Sequence, residues 1–183
     1  MNRVIYLVLT ETDSFLSRTI KKFTNDTFNH ISIAFDAGLN EMYSFARKKE
    51  YNPWIGGFVQ ESRYSRLLQS AYCAIYAFTV TEKQYKLLRK QINNFKKNRH
   101  QYRYNFLGLL CVLCRIRYKR KYAYFCSQFV EELFRNATIE TNLCLYFVRP
   151  IEFKDLPRAQ VVYRGCFEEY FLTYNQRLNV ESS

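Results

Sequence analysis

Cys126 and His30 are two residues of this sequence that could together form a thiol–imidazole pair. Cys126 lies where an aromatic run meets the start of an amphipathic helix, and the free amides and dipole of a first helical turn favour a thiolate. His30, one of 2 histidines, opens the alternating segment 30–35 and would project from a strand. A nearby imidazole would take the thiol proton and later protonate a leaving group, as in nucleophilic acyl transfer. Their wide separation in the chain leaves open that both are structural residues.

The elements that must position this pair are a mixture of strands and helices. Apolar and alternating runs predict strands over residues 4–9, 30–36, 41–47, 71–80, near 143–148, and over 160–163. Helical spacing predicts a helix with Leu16, Ile20 and Phe23 on one face, a helix opened by the capping box at 81–84, a helix over 105–112, and one following Cys126. Residues 49–68 are predicted to be irregular, because proline and two glycines interrupt any period. The predicted fold class is α+β with an antiparallel sheet.

The composition suits a single domain spanning residues 1–183. Hydrophobic residues make up 48% of the chain, enough to offset the entropy of folding, and no linker divides it. The longest apolar run, residues 106–114, is about half of the roughly 20 residues that a membrane span needs. The apolar run at 4–9 is too short for a signal-peptide core. We therefore expect a cytoplasmic protein with reduced thiols, in which about four of the 6 cysteines are small buried hydrophobes.

The sequence around the two residues resembles the NlpC-type branch of papain-like cysteine hydrolases. Residues 29–34, Asn-His-Ile-Ser-Ile-Ala, followed by a turn and by 42–45, Met-Tyr-Ser-Phe, are similar to the histidine strand and the next strand of these enzymes. Residues 125–130, Phe-Cys-Ser-Gln-Phe-Val, are similar to their nucleophile helix. The histidine here precedes the cysteine, as in the circularly permuted members, which include lecithin:retinol acyltransferase-like and YiiX-like proteins. The resemblance implies a papain-like fold, an antiparallel sheet or half-barrel packed against helices, with Cys126 as nucleophile and His30 as base.

The resemblance also implies a third polar residue that orients the imidazole from the strand at 41–47. Ser44 aligns best, and its hydroxyl could hold one imidazole tautomer, but it would supply no negative charge to stabilise an imidazolium. Glu41 is the charged competitor, although strand alternation points it to the face opposite Ser44. It is equally open that Ser44 is an ordinary strand residue.

The predicted function is a thiol hydrolase, an amidase or peptidase that acts through an acyl-enzyme on a small-molecule, peptide or lipid substrate. An acyltransferase or lipid hydrolase with the same nucleophile, and a non-catalytic module for an anionic partner, are the alternatives. The net charge of +12 and the basic stretches 86–103 and 115–121 fit an anionic substrate, peripheral contact with an acidic membrane, or a solvated face. No motif for specific nucleic-acid recognition is present. No cofactor or metal is expected, since Cys111 and Cys114 lack a second ligand pair and their spacing favours core packing.

Overall fold

The computed structural model describes residues 1–12, 26–49, 52–114, 116–118 and 120–181. The helix predicted around Leu16, Ile20 and Phe23 lies outside these residues. The elements, in chain order, are β1 (Asn2–Glu11), β2 (His30–Ala34), β3 (Met42–Lys49), β4 (Asn52–Glu61), α1 (Arg66–Gln69), β5 (Tyr72–Thr81), α2 (Glu82–Lys97), β6 (Arg103–Tyr104), α3 (Phe106–Leu113), β7 (Ala123–Tyr124), α4 (Cys126–Asn136), a 3-10 helix (Pro150–Asp155), β8 (Ala159–Cys166) and α5 (Phe167–Glu181). Within the described ranges, no helix combines the length and the apolar character needed to cross a bilayer.

Six strands form one antiparallel sheet in the order β4-β3-β2-β1-β5-β8. β1 is an inner strand, where Leu7 pairs with Ile33 of β2 and with Tyr76 of β5. β6 and β7 form a separate parallel pair. The prediction of an α+β fold with an antiparallel sheet is confirmed by this arrangement.

Apolar residues cover both faces of the sheet. Leu7 and Leu9 of β1 belong to a buried cluster that includes residues of α2 and α4. Val8, which points the other way, packs in a second cluster with Phe167 and Tyr170 of α5. Because β1 is buried on both sides, its sequence is a nearly continuous apolar run rather than an alternating one.

Helix α2 begins at the predicted capping box. The Thr81 hydroxyl accepts a hydrogen bond from the amide of Gln84, and the Gln84 side chain accepts one from the amide of Thr81. These two bonds satisfy amides that a helix terminus otherwise leaves unpaired. The buried residues of α2 recur at helical spacing and lie on one face: Leu88, Ile92 and Phe95.

Helix α4 is fixed against the sheet by aromatic side chains. Its Phe129 ring lies 5.1 Å from Phe45 of β3, and its Phe134 ring lies 5.1 Å from Phe78 of β5. All four rings are almost fully buried. Large-to-small changes at such buried aromatics typically cost about 3–5 kcal/mol. The first residue of α4 therefore has a well-defined position relative to the strands.

The prediction of an irregular segment at residues 49–68 is wrong, because residues Asn52–Glu61 form strand β4. β4 lies at the edge of the sheet and pairs only with β3 among the described strands. An edge strand tolerates Pro53 and the two glycines, which would weaken a central strand. At Gly56, a Cβ atom would lie 2.6 Å from Cβ of Tyr104, so glycine permits the close approach of β6.

Two features late in the chain also differ from the prediction. Residues 143–148 form no strand; they contain a turn in which Phe147 N donates to the Cys144 carbonyl at 2.9 Å. Their apolar side chains serve the core instead, since Leu145 and Val148 are buried. The predicted strand at 160–163 lies within β8, and the long helix α5 that follows it was not predicted.

Candidate active site

Cys126 is the first residue of α4 and is only 4% exposed. Helix geometry leaves the amides of this turn without intrahelical acceptors, so they can stabilise negative charge on the sulfur or on an oxyanion beside it. The neighbouring Ser127 hydroxyl donates to the Val148 carbonyl at 2.7 Å. Next to it, Gln128 Oε1 lies 3.4 Å from Asn105 Nδ2. Both contacts hold the start of α4 in place.

His30 is the first residue of β2, and the residue before it is firmly tied to β1. Asn29 N donates to the Thr10 carbonyl at 3.2 Å. Asn29 Oδ1 accepts from the amide and hydroxyl of Thr12 at 3.1 and 2.9 Å, and Nδ2 donates to the Thr12 carbonyl at 3.0 Å. Cys126 interacts with the His30 ring closely enough to raise the pKa of that ring. The structure thus brings together the thiol and the imidazole singled out from the sequence.

Glu61, the last residue of β4, supplies a carboxylate to the other side of the ring. Its Oε1 lies 2.7 Å from Nε2 of His30, and the two side chains are 8% and 14% exposed. Since Nε2 is engaged by Glu61, Nδ1 is the ring nitrogen that remains for a second partner. The three side chains interact in series, and we call them the Cys126–His30–Glu61 row.

Two buried serines bind the carboxylate of this row. Ser44 Oγ donates to Oε1 of Glu61, and Ser32 Oγ donates to Oε2 at 3.0 Å. Ser32 Oγ also lies 3.3 Å from Nε2 of His30. Hydrogen bonds to a carboxylate favour its charged form and fix its orientation.

The third polar residue therefore differs from the sequence-based expectation. Ser44 was expected to orient the imidazole directly, but its hydroxyl contacts Glu61, and Glu61 contacts His30. Glu41, the competitor, forms an ion pair with Arg89 of α2 and is not part of the row. Sequence reasoning missed Glu61 because its strand was not recognised. The signal available was the pair of strand-favouring residues Phe58 and Val59, which is followed closely by an acid.

The row shifts the pKa values of its ring and of its carboxyl group. Burial alone lowers the pKa of His30, but the Glu61 charge and the hydrogen bonds with Cys126 and Glu61 outweigh it and raise that pKa to about 10. Burial raises the pKa of Glu61, yet the His30 charge and the bonds from His30, Ser44 and Ser32 bring it below its ordinary value. At neutral pH the ring is therefore an imidazolium between a carboxylate and the sulfur. An adjacent imidazolium favours a thiolate.

A cleft with mainly apolar walls opens beside Cys126. The apolar wall residues include Tyr104, Leu109, Val112, Phe125, Val148 and Pro150. Asp26, Asn29 and Arg149 supply polar side chains to the same cleft. Arg149 Nη1 lies 3.2 and 3.1 Å from the two carboxylate oxygens of Asp26. An acyl group that reaches Cys126 thus meets an apolar wall and one ion pair.

Comparisons with models of protein families, with curated proteins and with solved structures found no match to this chain.

The other cysteines have surroundings that differ from those of Cys126. Only Cys73 and Cys126 are buried, not the predicted four; Cys111 is half-buried and Cys114 is exposed. The prediction that Cys111 and Cys114 pack in the core is therefore wrong for Cys114, because α3 and the residue that follows it lie at the surface. Burial and the nearby Cys166 raise the pKa of Cys73 to about 12, which makes it a poor nucleophile at neutral pH. Among the described residues, no group of three or more His, Cys, Asp or Glu side chains is arranged to hold a metal ion.

Proposed function

We propose that this chain is a thiol hydrolase of the amidase or peptidase type, with Cys126 as nucleophile, His30 as proton carrier and Glu61 as the residue that orients and charges the ring. The contact of these three side chains is the observation that carries the proposal. Nucleophile, base and orienting group in series are the parts that covalent acyl transfer requires. A histidine whose pKa a specific carboxylate raises to about 10, next to a cysteine that lines a cleft, is also the kind of group found at functional sites.

In the first half of the proposed reaction, the Cys126 thiolate attacks the carbonyl carbon of an amide. A C–S bond forms, and the amide of Cys126 would donate to the resulting oxyanion. His30 gives its proton to the leaving nitrogen as the C–N bond breaks. An amine departs, and a Cys126 thioester and a neutral imidazole remain. Glu61 keeps the ring oriented through Nε2.

In the second half, neutral His30 takes a proton from a water molecule whose oxygen attacks the thioester carbonyl. The C–S bond breaks, a carboxylic acid leaves, and the sulfur returns as a thiolate beside the imidazolium. The proton given to the amine is regained from water. The net reaction is hydrolysis of one amide bond.

The finer fold that we infer is the papain-like arrangement of the permuted NlpC type. Helix α4 begins at the nucleophile and contacts β2 and β3, which precede it in the chain. β2 supplies the histidine. An order of histidine before cysteine on such elements supports this inference, together with the local sequence resemblance.

Alkylation of each cysteine by iodoacetamide, followed by peptide mass spectrometry, tests the nucleophile. Cys144 is exposed whereas Cys126 is 4% exposed, so accessibility alone makes Cys126 the slower residue. A thiolate paired with an imidazolium makes the opposite prediction: Cys126 reacts first near pH 6.

His30→Gln is the variant to compare, because it removes the imidazolium and keeps Cys126. Near pH 6 the Cys126 rate should fall by at least about 100-fold, while Cys144 keeps its rate. His100→Gln, at an exposed histidine, is the matched control and should change neither rate. If Cys126 reacts more slowly than Cys144 in the parent and His30→Gln has no effect, the pair is structural and the chain is a non-catalytic module.

The apolar walls of the cleft favour a second candidate, transfer of an apolar acyl group to an acceptor other than water. The first half of the reaction is the same, and an alcohol or amine replaces water in the second half. Nitrophenyl esters of short and long fatty acids, with increasing ethanolamine, distinguish the two. An acyltransferase forms acyl-ethanolamine in proportion to the acceptor, whereas a hydrolase releases free acid throughout.

A further inference from the structure

All of the net positive charge of the chain comes from one segment, residues 83–130. That segment contains thirteen of the 28 Lys and Arg and no Asp or Glu, whereas the rest of the chain contains fifteen Lys and Arg against all 16 Asp and Glu. The segment includes nearly all of α2 and the elements from β6 to the start of α4. A ring contact of 4.5 Å between Phe95 and Tyr102 and the pairing of β6 with β7 connect these elements.

Helix α3, inside this segment, is apolar along its whole length and yet lies at the surface. Its sequence, Phe106–Leu113, is FLGLLCVL. Leu107 is 55% exposed. Four more of its side chains are only partly buried: Phe106, Leu109, Cys111 and Val112. A helix that is apolar on all sides normally lies in a protein core or in lipid, but none of the described residues of α3 belongs to the two buried clusters.

Exposed cations flank α3 at both ends. They are Arg103 before the helix, and Arg117, Arg120 and Lys121 after it. Among them, Ile116 is 56% exposed and Tyr122 is 44% exposed. A hydrogen bond of 2.8 Å from Ile116 N to the Cys111 carbonyl keeps this stretch against the end of the helix. Apolar and cationic side chains therefore share one patch without any carboxylate from the segment itself.

We propose that α3 and its flanking cations form a docking surface for an anionic lipid bilayer. Eight helical residues extend about 12 Å, much less than the roughly 30 Å of a hydrocarbon core, so α3 would lie along the interface and not cross it. Its apolar side chains would enter the acyl region while the arginines and Lys121 meet the headgroups. A nucleic acid would use the cations but leave Leu107 and Ile116 in water, because phosphate contacts come from polar groups.

Docking through α3 would also place the cleft next to the bilayer. Leu109 and Val112 of α3 line the cleft beside Cys126. The docking surface does not depend on the proposed hydrolase reaction, since it uses charge and apolar exposure alone. Cys126→Ala should therefore bind vesicles as the parent does, and a failure of one proposal leaves the other testable.

Co-sedimentation of the full chain with sucrose-loaded vesicles tests this surface. We expect binding to phosphatidylcholine vesicles that contain about 30% phosphatidylserine, little binding to phosphatidylcholine alone, and loss of binding at high salt. Leu107→Glu should weaken binding by at least about tenfold, because it puts a charge into the acyl region. The triple change Arg117→Gln, Arg120→Gln and Lys121→Gln should weaken it roughly 100-fold, at about fivefold per cation.

Leu172→Glu is the matched control, since Leu172 is 63% exposed on α5, outside the basic segment. It should bind like the parent, as should Lys154→Gln at an exposed cation of the 3-10 helix. Circular dichroism and thermal melting check that each variant is folded. The proposal is overturned if the folded parent does not bind the anionic vesicles, or if Leu107→Glu binds as well as Leu172→Glu. It is also overturned if an RNA oligonucleotide displaces the vesicles and binds Leu107→Glu and the parent equally.

Discussion

The Glu61 carboxylate lies 2.7 Å from Nε2 of His30, although strand β3 separates their two strands. Glu61 pairs with Met42, two residues before Ser44, so alternation places Glu61 and Ser44 on one face of the sheet. The carboxylate reaches the ring along that face and contacts the hydroxyls of Ser44 and Ser32. Glu61 is thus held by neighbouring polar side chains, in a sheet that is otherwise mainly apolar.

Glu61→Gln preserves the shape of this side chain and removes its charge. The pKa of His30 should fall toward its ordinary value, because burial lowers it and its main charged partner is gone. We expect the rate of Cys126 alkylation near pH 7 to fall by at least about tenfold, since less imidazolium is present to stabilise the thiolate. Glu41→Gln is the control, because Glu41 pairs with Arg89, and it should leave the rate unchanged. Equal rates in the two variants would remove Glu61 from the row.

Ser44→Ala removes a donor to a buried carboxylate. Ser44 is fully buried, so water cannot replace the lost bond, and the free energy of unfolding at pH 7 should fall by about 1–3 kcal/mol. Ser32→Ala, which also breaks a bond to Glu61, should give a loss of similar size. Ser70→Ala, at an exposed serine bonded to a main-chain carbonyl, should change it by no more than about 0.5 kcal/mol. Urea denaturation measures all three, and a Ser44 variant as stable as the Ser70 variant contradicts the contact.

The pH dependence of stability should report the proton on His30. The pKa of the ring is about 10 in the folded chain and 6.5 ordinarily. Over that interval the folded state keeps a proton that the unfolded state releases. The stabilisation is therefore complete below about pH 6.5 and is lost progressively as the pH rises toward 10.

Urea unfolding of the parent and of His30→Gln at several pH values from about 6 to 8.5 isolates this effect. The difference in unfolding free energy between the two proteins should shrink as the pH rises. The upper limit keeps the measurement below the titration of Cys73, whose pKa is raised from 9.0 to about 12 by burial and by Cys166. A difference that is constant or that grows with pH means that His30 is not the protonated member of the pair.

Patterns in the sequence predict the elements in which local preference and burial agree. Continuous or alternating apolar residues identify β1, β2, β3 and β5, and the capping box at Thr81 identifies α2. In β4, Pro53 and Gly56 interrupt the apolar pattern that would identify a strand. Gly56 packs against Cβ of Tyr104. Glu61 ends that strand, so the missed strand concealed the acid. The meeting of Cys126 with His30 followed from local motifs, while the identity of the acid required the pairing of β4 with β3.

The residues of the row come from two distant parts of the chain, the strands β2 to β4 and the helix α4, so the row forms in a definite order. Imidazole, carboxylate and both hydroxyls belong to three successive strands, whereas the sulfur arrives only when α4 docks on the sheet. During synthesis those strands leave the ribosome well before residue 126 does. In a nascent chain Cys126 therefore has no imidazole beside it, and the proposed nucleophile meets His30 only once folding has packed the helix onto the sheet.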